Sequence, residues 1–462
     1  MYIKRHILAA AVASVSALTA SQSASAASLQ FDGSSRKVIE VTPDRNTGLD
    51  MIYVVYDVAG VSASFTSTSS TPARWYKYSN LGGGYAVELT DIVYSGNTST
   101  LPQIEGDMGY IIECGTDRSY FWVTGYKSHE FRLQSVGVSP ESDCGMTILD
   151  VSGSADPIHY YTINGQQRTL DRDITVEYLT LEADREARVY NQIPATHSIE
   201  SIDASGHVYI SPAPLCDTRF TVSGDAFMRA WGSYLQVRSD SYTTPAVDCF
   251  VFATQTPRSD SDEPSNEIGS GEDGTLGGSA PAEITFTAIA SDAVLHNEWQ
   301  FSDDPEFSNL TYRFNDAEVS HTFREEGTTY VRYIGSNADG SCETYGETFE
   351  VHIGNSELKI PNAFSPGASE GTNDIWKVSY RSIIEFECHI FNIQGEEIFS
   401  FNDPSQGWDG KKGGKLVKPG VYYYVIEALG SDGKRYKKSG DINIVRYTRR
   451  ASGTGGGSST TE

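Results

Sequence analysis

Along most of the chain apolar and polar positions alternate with period two, and stretches with the period of a helix are scarce. Between 384 and 392, Ile384, Phe386, Cys388 and Ile390 fall on one face, and Glu385, Glu387 and His389 on the other. This pattern predicts a half-buried strand. Gln394-Gly395 predicts a hairpin turn, 421–428 is rich in β-branched and aromatic residues, and Ser431-Asp432-Gly433 predicts a second turn before a last strand at 442–445. Together these predict a small antiparallel β-sandwich over 355–447.

The rest of the chain repeats the rhythm of short strands between Gly, Ser, Asn and Asp clusters. A first unit, 27–140, has strands at 51–58, 74–78, 109–114 and 119–124, with Trp75 expected in the core. Arg74, Trp75, Tyr76, Lys77 and Tyr78 suggest sugar stacking, since flat rings bind sugar faces, but a core Trp with flanking exposed Tyr is the favoured reading. A second unit, 141–257, has strands up to 247–254 and a hairpin signal at Asn164-Gly165. A third, 281–354, has a Trp strand at 298–302. The expected fold is all-β: tandem immunoglobulin-like β-sandwich domains followed by a C-terminal β-sandwich. Between the second and third units, 258–280 carries Asp260, Asp262, Glu263, Glu267, Glu272 and Asp273 among Gly and Ser, and is expected to be an acidic flexible linker.

The ends of the sequence suggest a compartment. Lys4 and Arg5 precede an apolar run over 7–18 and the small residues Ala24-Ser25-Ala26. This predicts a secretory signal peptide, 1–26, cleaved after Ala26. The run is too short for a stable anchor, and no later segment is long and apolar enough, so no transmembrane segment is expected in the mature chain. Residues 448–462, rich in Gly, Ser and Thr, are expected to form a disordered tail.

Charge and chemistry exclude more than they assign. A formal charge of −26 argues against nucleic acid, whose phosphates need a basic surface, and against anionic lipid. The 6 cysteines include no Cys-x-x-Cys, so no zinc or redox motif is present. A bridge between Cys144 and Cys216, or between Cys216 and Cys249, is expected, with Cys388 a buried free thiol. The histidines show no metal-ligand spacing, and neither a Gly-x-Ser-x-Gly elbow nor a P-loop is found. Cys114 with His129 or His159 is a conceivable nucleophile pair, but a Cys on a sandwich strand is expected to be structural. No catalytic residue, metal or cofactor is assigned, and the chain is expected not to be an enzyme.

One ordered set of motifs goes further. Pro361, Asn362, Phe364 and Pro366 are followed by Asn373, Asp374 and Trp376, then by Gly407, Trp408, Asp409 and Gly410. Pro419, Gly420 and Tyr422, and then Gly440 and Asp441, complete the series. This order resembles the type B, gliding motility-associated C-terminal sorting domain of the Bacteroidetes type IX secretion system. The resemblance implies export to the cell surface or medium, with the type IX translocon and an outer-membrane barrel of the PorP/SprF type as partners. The sequence departs from the family in the loop 367–371, in Asn392-Ile-Gln-Gly395 and in continuing past Arg446. Trp376 and Trp408 are expected in the core. The third unit resembles a PKD domain, a spacer or interaction module, without the usual Gly after Asp304. The expected function is surface adhesion, binding or structure, directed at an unknown protein or glycan ligand. A hydrolase with its site in 27–257, or an accessory component retained at the secretion or gliding apparatus, are the alternatives.

Overall fold

The structure, a computed structural model, describes residues 28–67, 72–257, 266–269, 275–366 and 373–445. The expected signal peptide, the tail, Arg446, the loop 367–371 and much of the acidic stretch lie outside these residues. The described chain is built of strands, with a 3-10 turn at Tyr126–His129 and a short helix at Ala226–Ala230. The all-β expectation holds.

The first domain pairs a four-stranded sheet with a six-stranded one. In the larger sheet Met51–Val55 runs parallel to Asp117–Gly125 and antiparallel to Ile39–Val41. One face of it packs on the smaller sheet through Tyr53, Trp75, Tyr110 and Phe121. The opposite face is buried as well. Ile52, Val54, Tyr78, Ile111 and Trp122 share one core with Val151, Ile174, Phe220 and Val222 of the second domain. The run Ile52-Tyr53-Val54-Val55 is fully buried residue by residue, the pattern of a strand covered on both sides. The first two domains are therefore a single fused head, where the sequence suggested separate beads.

A buried ion pair closes this junction. Arg172 and Asp225 have side chains fully excluded from solvent and meet at 2.9 Å. Arg172 also donates to the carbonyls of Asp156 at 2.8 Å and His129 at 2.7 Å. Asp225 accepts from the Tyr126 hydroxyl at 3.0 Å and caps the helix Ala226–Ala230 by accepting from the Met228 amide at 2.8 Å. Every charged atom thus has a partner, which a buried pair requires. Burial, with the Asp225 carboxylate beside it, holds the Tyr126 hydroxyl well above the usual tyrosine range.

The second domain packs a three-stranded sheet, Thr147–Ser154 between Arg132–Val138 and His207–Ile210, against a four-stranded one. The hairpin Ile158–Tyr161 to Gln167–Leu170 confirms the Asn164-Gly165 turn, with Gly165 at φ 78°. Its longest hairpin, Ile174–Asp184 with Val189–Ile199, reaches the third domain. There the Tyr190 ring lies 5.2 Å from Phe250, its hydroxyl donates to Asp248 at 3.0 Å, and Arg188 sits 4.6 Å above Phe252.

Two boundaries differ from the sequence reading. Cys249–Gln255 pairs along its whole length with Ala282–Ala290, so it opens the third domain and does not close the second. Its partner lies beyond the acidic stretch, and a strand's alternation does not say which neighbour completes it. Within the stretch read as linker, Leu276–Gly278 is a strand running parallel to Phe349–Ile353, and Asn266 and Ile268 bond to Tyr380. The disulfide is Cys144–Cys342, joining second and third domains across 198 residues. Cys216 and Cys249, expected to be bridged, are free thiols, because the cysteines brought together sit in turns of different domains. Cys388 is buried and free, and burial pushes its thiol up to about 12.

The C-terminal domain carries the five-stranded sheet Ala363–Phe364, Arg435–Ile444, Gly420–Gly430, Ile383–Phe391 and Glu397–Phe401. Phe386, Cys388 and Ile390 point inward as the alternation predicts. A register shift between Ile383 and Glu385 puts Ile383 inside and turns Ile384 onto the core of the third domain.

Arg172→Ala is expected to cost about 3–5 kcal/mol in chemical denaturation, because it strands a buried carboxylate. The double variant Arg172→Met, Asp225→Leu is expected to recover most of that loss. Reduction of Cys144–Cys342 is expected to leave the far-UV circular dichroism unchanged and to broaden the distance distribution in small-angle X-ray scattering, since the fused head and the third domain have separate cores.

Candidate functional site: the C-terminal motif cluster

The chain enters the C-terminal domain along Glu357–Lys359, which pairs with Ser379–Arg381. It then lays Ala363–Phe364 parallel to the end of Arg435–Ile444. Asn443 donates its amide to the Asn362 carbonyl at 2.8 Å, and Val445 donates to Phe364 at 3.1 Å. The start of the domain is thereby stitched to its end.

Trp376 and Trp408 hold the centre. Each donates its backbone amide to the other's carbonyl, at 2.9 and 3.0 Å, and both side chains are wholly buried. The Trp376 indole donates to the Pro361 carbonyl at 2.7 Å, and the Trp408 indole to the Lys411 carbonyl at 3.0 Å. Phe364 and Tyr422 pack on Trp408 with ring centroids 5.4 and 5.3 Å away. Buried aromatics with a satisfied polar end are core residues with an orientation fixed by hydrogen bonding.

The glycines serve this packing. A Cβ on Gly407 would approach the Trp376 carbonyl to 2.7 Å. A Cβ on Gly440 would meet the Tyr424 hydroxyl at 2.7 Å, and that tyrosine's ring lies 5.5 Å from Trp376. Asp409 accepts from the amide of Lys411 at 3.0 Å and from its ammonium at 2.7 Å, and the ammonium holds the carboxyl below its usual range. Asn373, at φ 54°, gives its carbonyl to Ser365, and Asp374 sits half-buried ahead of Trp376. Pro366 lies against Gly410, and the Tyr422 hydroxyl donates to Lys418 at 2.7 Å. Pro419 and Gly420 are exposed and start the strand Gly420–Gly430, while Asp441 accepts from Asn443 at 2.7 Å. The motif residues thus converge on one end of the sandwich, with Gly440 tied in through Tyr424 and Pro419 at the rim.

The chemistry here is architectural. Among the described residues no group of three or more His, Cys, Asp or Glu could hold a metal ion. In the head, His129 pairs with Asp107 at 3.0 Å, and His159 meets Thr169 at 3.3 Å. Trp75 is fully buried and donates to Ser99 at 2.8 Å, Tyr78 is buried too, and Arg74 pairs with Glu113. The aromatic strand is core and offers no stacking platform. A cleft of roughly 580 Å³ opens between the second and third domains. Of its carboxylates, Asp217 accepts from the Thr244 amide across 27 residues, and Asp339 accepts from Ser341 as a turn cap. No helix of the described residues is long and apolar enough to cross a membrane.

Residues 358–444 match the CHU_C type IX secretion signal domain. Residues 135–239 match a fibronectin type III domain, Fn3_FA. The fibronectin match falls on the second domain of the head, and the family-level likeness found among the sandwiches before the secretion signal is fibronectin, not PKD. A type IX secretion signal implies handling by that system and export to the cell surface or medium. No curated protein matches the chain. Among solved structures, the tetra-tandem repeat in the extending region of a large adhesion protein is 12% identical, covering 84% of this chain and 96% of its own at TM-score 0.22. The FN1–FN3 domains of chicken CNTN1 are 11% identical, covering 68% and 99% at TM-score 0.25. The three N-terminal domains of the bacteriophage RB49 Hoc capsid protein are 9% identical, covering 69% and 100% at TM-score 0.20.

Sequence reasoning missed the contacts that mount this domain on its neighbour. The Ser382 amide donates to Ser279 Oγ at 2.7 Å, and the Ala280 amide donates to Ser382 Oγ at 3.2 Å, all in buried positions. The one local signal is the Ile268 and Leu276 pair of apolar residues inside an otherwise polar, acidic run.

On the outer face of the sheet, His389 lies between Glu397 at 2.9 Å and Glu387 at 3.0 Å. Partial burial opposes its charging, but the two carboxylates outweigh it and raise its pKa. A raised folded-state pKa stabilises below the unfolded value near 6.5, and the gain is lost as pH rises through the folded value. The melting temperature of this domain is expected to fall modestly between pH 6 and pH 8, and His389→Gln to flatten that change.

Proposed function

We propose that this protein is a non-enzymatic, multi-domain surface protein of a Bacteroidetes bacterium, delivered by type IX secretion for adhesion, binding or a structural role. The observation that carries the reading is the match at 358–444 together with the packing of its motif residues into one core. In this reading residues 1–26 act as a cleaved signal peptide for the inner membrane. The C-terminal domain then engages the translocon and a PorP/SprF-type barrel.

The fused head carries the binding function. It exposes Val87, Val93 and Tyr94 along edge strands of the first domain, with Tyr85 in the loop before one of them, and exposed apolar groups at a sheet edge suit contact with a protein or glycan surface. The third domain, PKD-like in its Trp strand, holds the head off the sorting domain. Its attachment by a disulfide on one side and by buried hydrogen bonds on the other suits a spacer better than a loose tether.

Deletion of 358–462 is expected to trap the protein in the periplasm, read by cell fractionation and by protease shaving of intact cells. Normal surface exposure of the truncated protein would sink the proposal.

A further inference from the structure

Strand Ser379–Arg381 belongs to a two-stranded sheet, so only one of its edges is covered by Glu357–Lys359. The other edge is covered from within the chain. Glu267, which belongs to the stretch between the first two strands of the third domain, lies opposite Tyr380 in parallel register. The Ile268 amide donates to the Tyr380 carbonyl at 2.6 Å, and the Tyr380 amide donates to the Asn266 carbonyl at 3.2 Å. One residue bracketed by two slanted bonds is the unit of a parallel ladder.

Asn266 adds selectivity to the pairing. Its Nδ2 donates to the Val378 carbonyl at 2.6 Å and to the Pro404 carbonyl at 2.8 Å. A primary amide nitrogen carries two hydrogens, and both are engaged by backbone acceptors from separate segments. Asp has no donor and Ser has one, so this pair of carbonyls reads an amide.

The occupant lies outside the core of its seat. The C-terminal core is made wholly of residues from 358 onward, and residues 266–268 contribute nothing to it. They are themselves only half-buried, whereas the Ser279–Ser382 contact that fixes the domain is fully enclosed. Each backbone bond contributes on the order of 1 kcal/mol net, so a competing strand with the same groups can exchange.

We propose that the edge of Ser379–Arg381 covered by residues 266–268 is a strand-accepting site. It takes an extended peptide in parallel register with an Asn two positions before a residue that donates its backbone amide to Tyr380. Residues 266–268 are its resident occupant in cis, and the partner it fits in trans is an extended segment with the same Asn-x-x backbone pattern. Strand addition of this kind draws affinity from the main chain and specificity from the side chain that meets a local acceptor. The cis occupant, held at high effective concentration, keeps the edge from unselective pairing until a matched strand displaces it.

The test uses the full chain and a labelled synthetic peptide spanning 264–270. In the double variant Asn266→Ala, Ile268→Pro the cis strand loses its amide and one backbone donor. The Tyr380 amide is expected to exchange with deuterium faster, and the variant to bind the peptide saturably in fluorescence anisotropy. The wild type is expected to bind it at least about tenfold more weakly through cis competition. A peptide with Asp in place of Asn is expected to bind the variant about tenfold more weakly, as loss of two hydrogen bonds implies. Unchanged Tyr380 exchange in the variant would overturn the proposal, as would an exposed edge that takes no peptide, or equal binding to variant and wild type. Should the double variant fail to fold, Asn266→Asp alone decides the matter. It keeps the strand backbone, and is expected to speed Tyr380 exchange and admit the peptide to an intermediate degree; no change in either overturns the site.

Discussion

Arg172 and Asp225 meet out of reach of water, and the way the N-terminal half is assembled follows from how that meeting is satisfied. A charge pair in such a place is tolerated only when its remaining hydrogen-bonding groups are filled. The fillers come from both domains. Tyr126 and the His129 carbonyl belong to the end of the first, and Asp156 and the helix at Ala226–Ala230 to the second. A shift of one sandwich against the other would strand a buried charge, so the pair selects one docking geometry. The apolar faces packed around it supply the larger favourable term, because a sheet buried on both sides removes most of its surface from water.

The same logic recurs with different chemistry down the chain. Between the second and third domains the lock is covalent, Cys144–Cys342, assisted by Tyr190 and Arg188 lying on Phe250 and Phe252. Between the third and the C-terminal domain it is the reciprocal Ser279–Ser382 pair, with Ile384 turned across the boundary by a register shift. Each junction therefore combines a specific polar or covalent contact with a shared apolar patch. That combination fixes each sandwich against its neighbour by two kinds of contact at once.

Much of this was legible in the sequence and some could not be. The face assignment of Phe386, Cys388 and Ile390, the Asn164-Gly165 hairpin and the core places of Trp75, Trp376 and Trp408 follow from local pattern, because period and turn chemistry are local properties. The strand Cys249–Gln255 was visible, but its partner across the acidic stretch was not, since alternation is silent about pairing. The disulfide failed for a related reason. Cys144 and Cys342 are 198 residues apart, in turns that approach only after two domains have docked. The fused head did leave a trace: Ile52-Tyr53-Val54-Val55 is apolar without interruption, and a strand that has no polar face has no solvent face.

The motif residues of the C-terminal domain raise the question of what a sorting system can recognise in them. Trp376 and Trp408 have no exposed surface, Phe364 is buried, and Gly407, Gly410 and Gly440 are fixed by what would clash with a side chain. None of these can touch a partner while the domain is folded. Their order along the chain is therefore a record of one fold, and recognition must fall on what that fold presents. The presented features include the exposed row Val421, Tyr423 and Val425 beside His389. A change at Trp408 would abolish recognition by unfolding the domain, whereas a change at Tyr423 would leave the fold and alter only the surface. The buried aromatic members of the motif can thus mark a delivery signal without being contacted themselves, while Pro361, Asn362, Pro419, Gly420 and Asp441 are the members that lie on its surface.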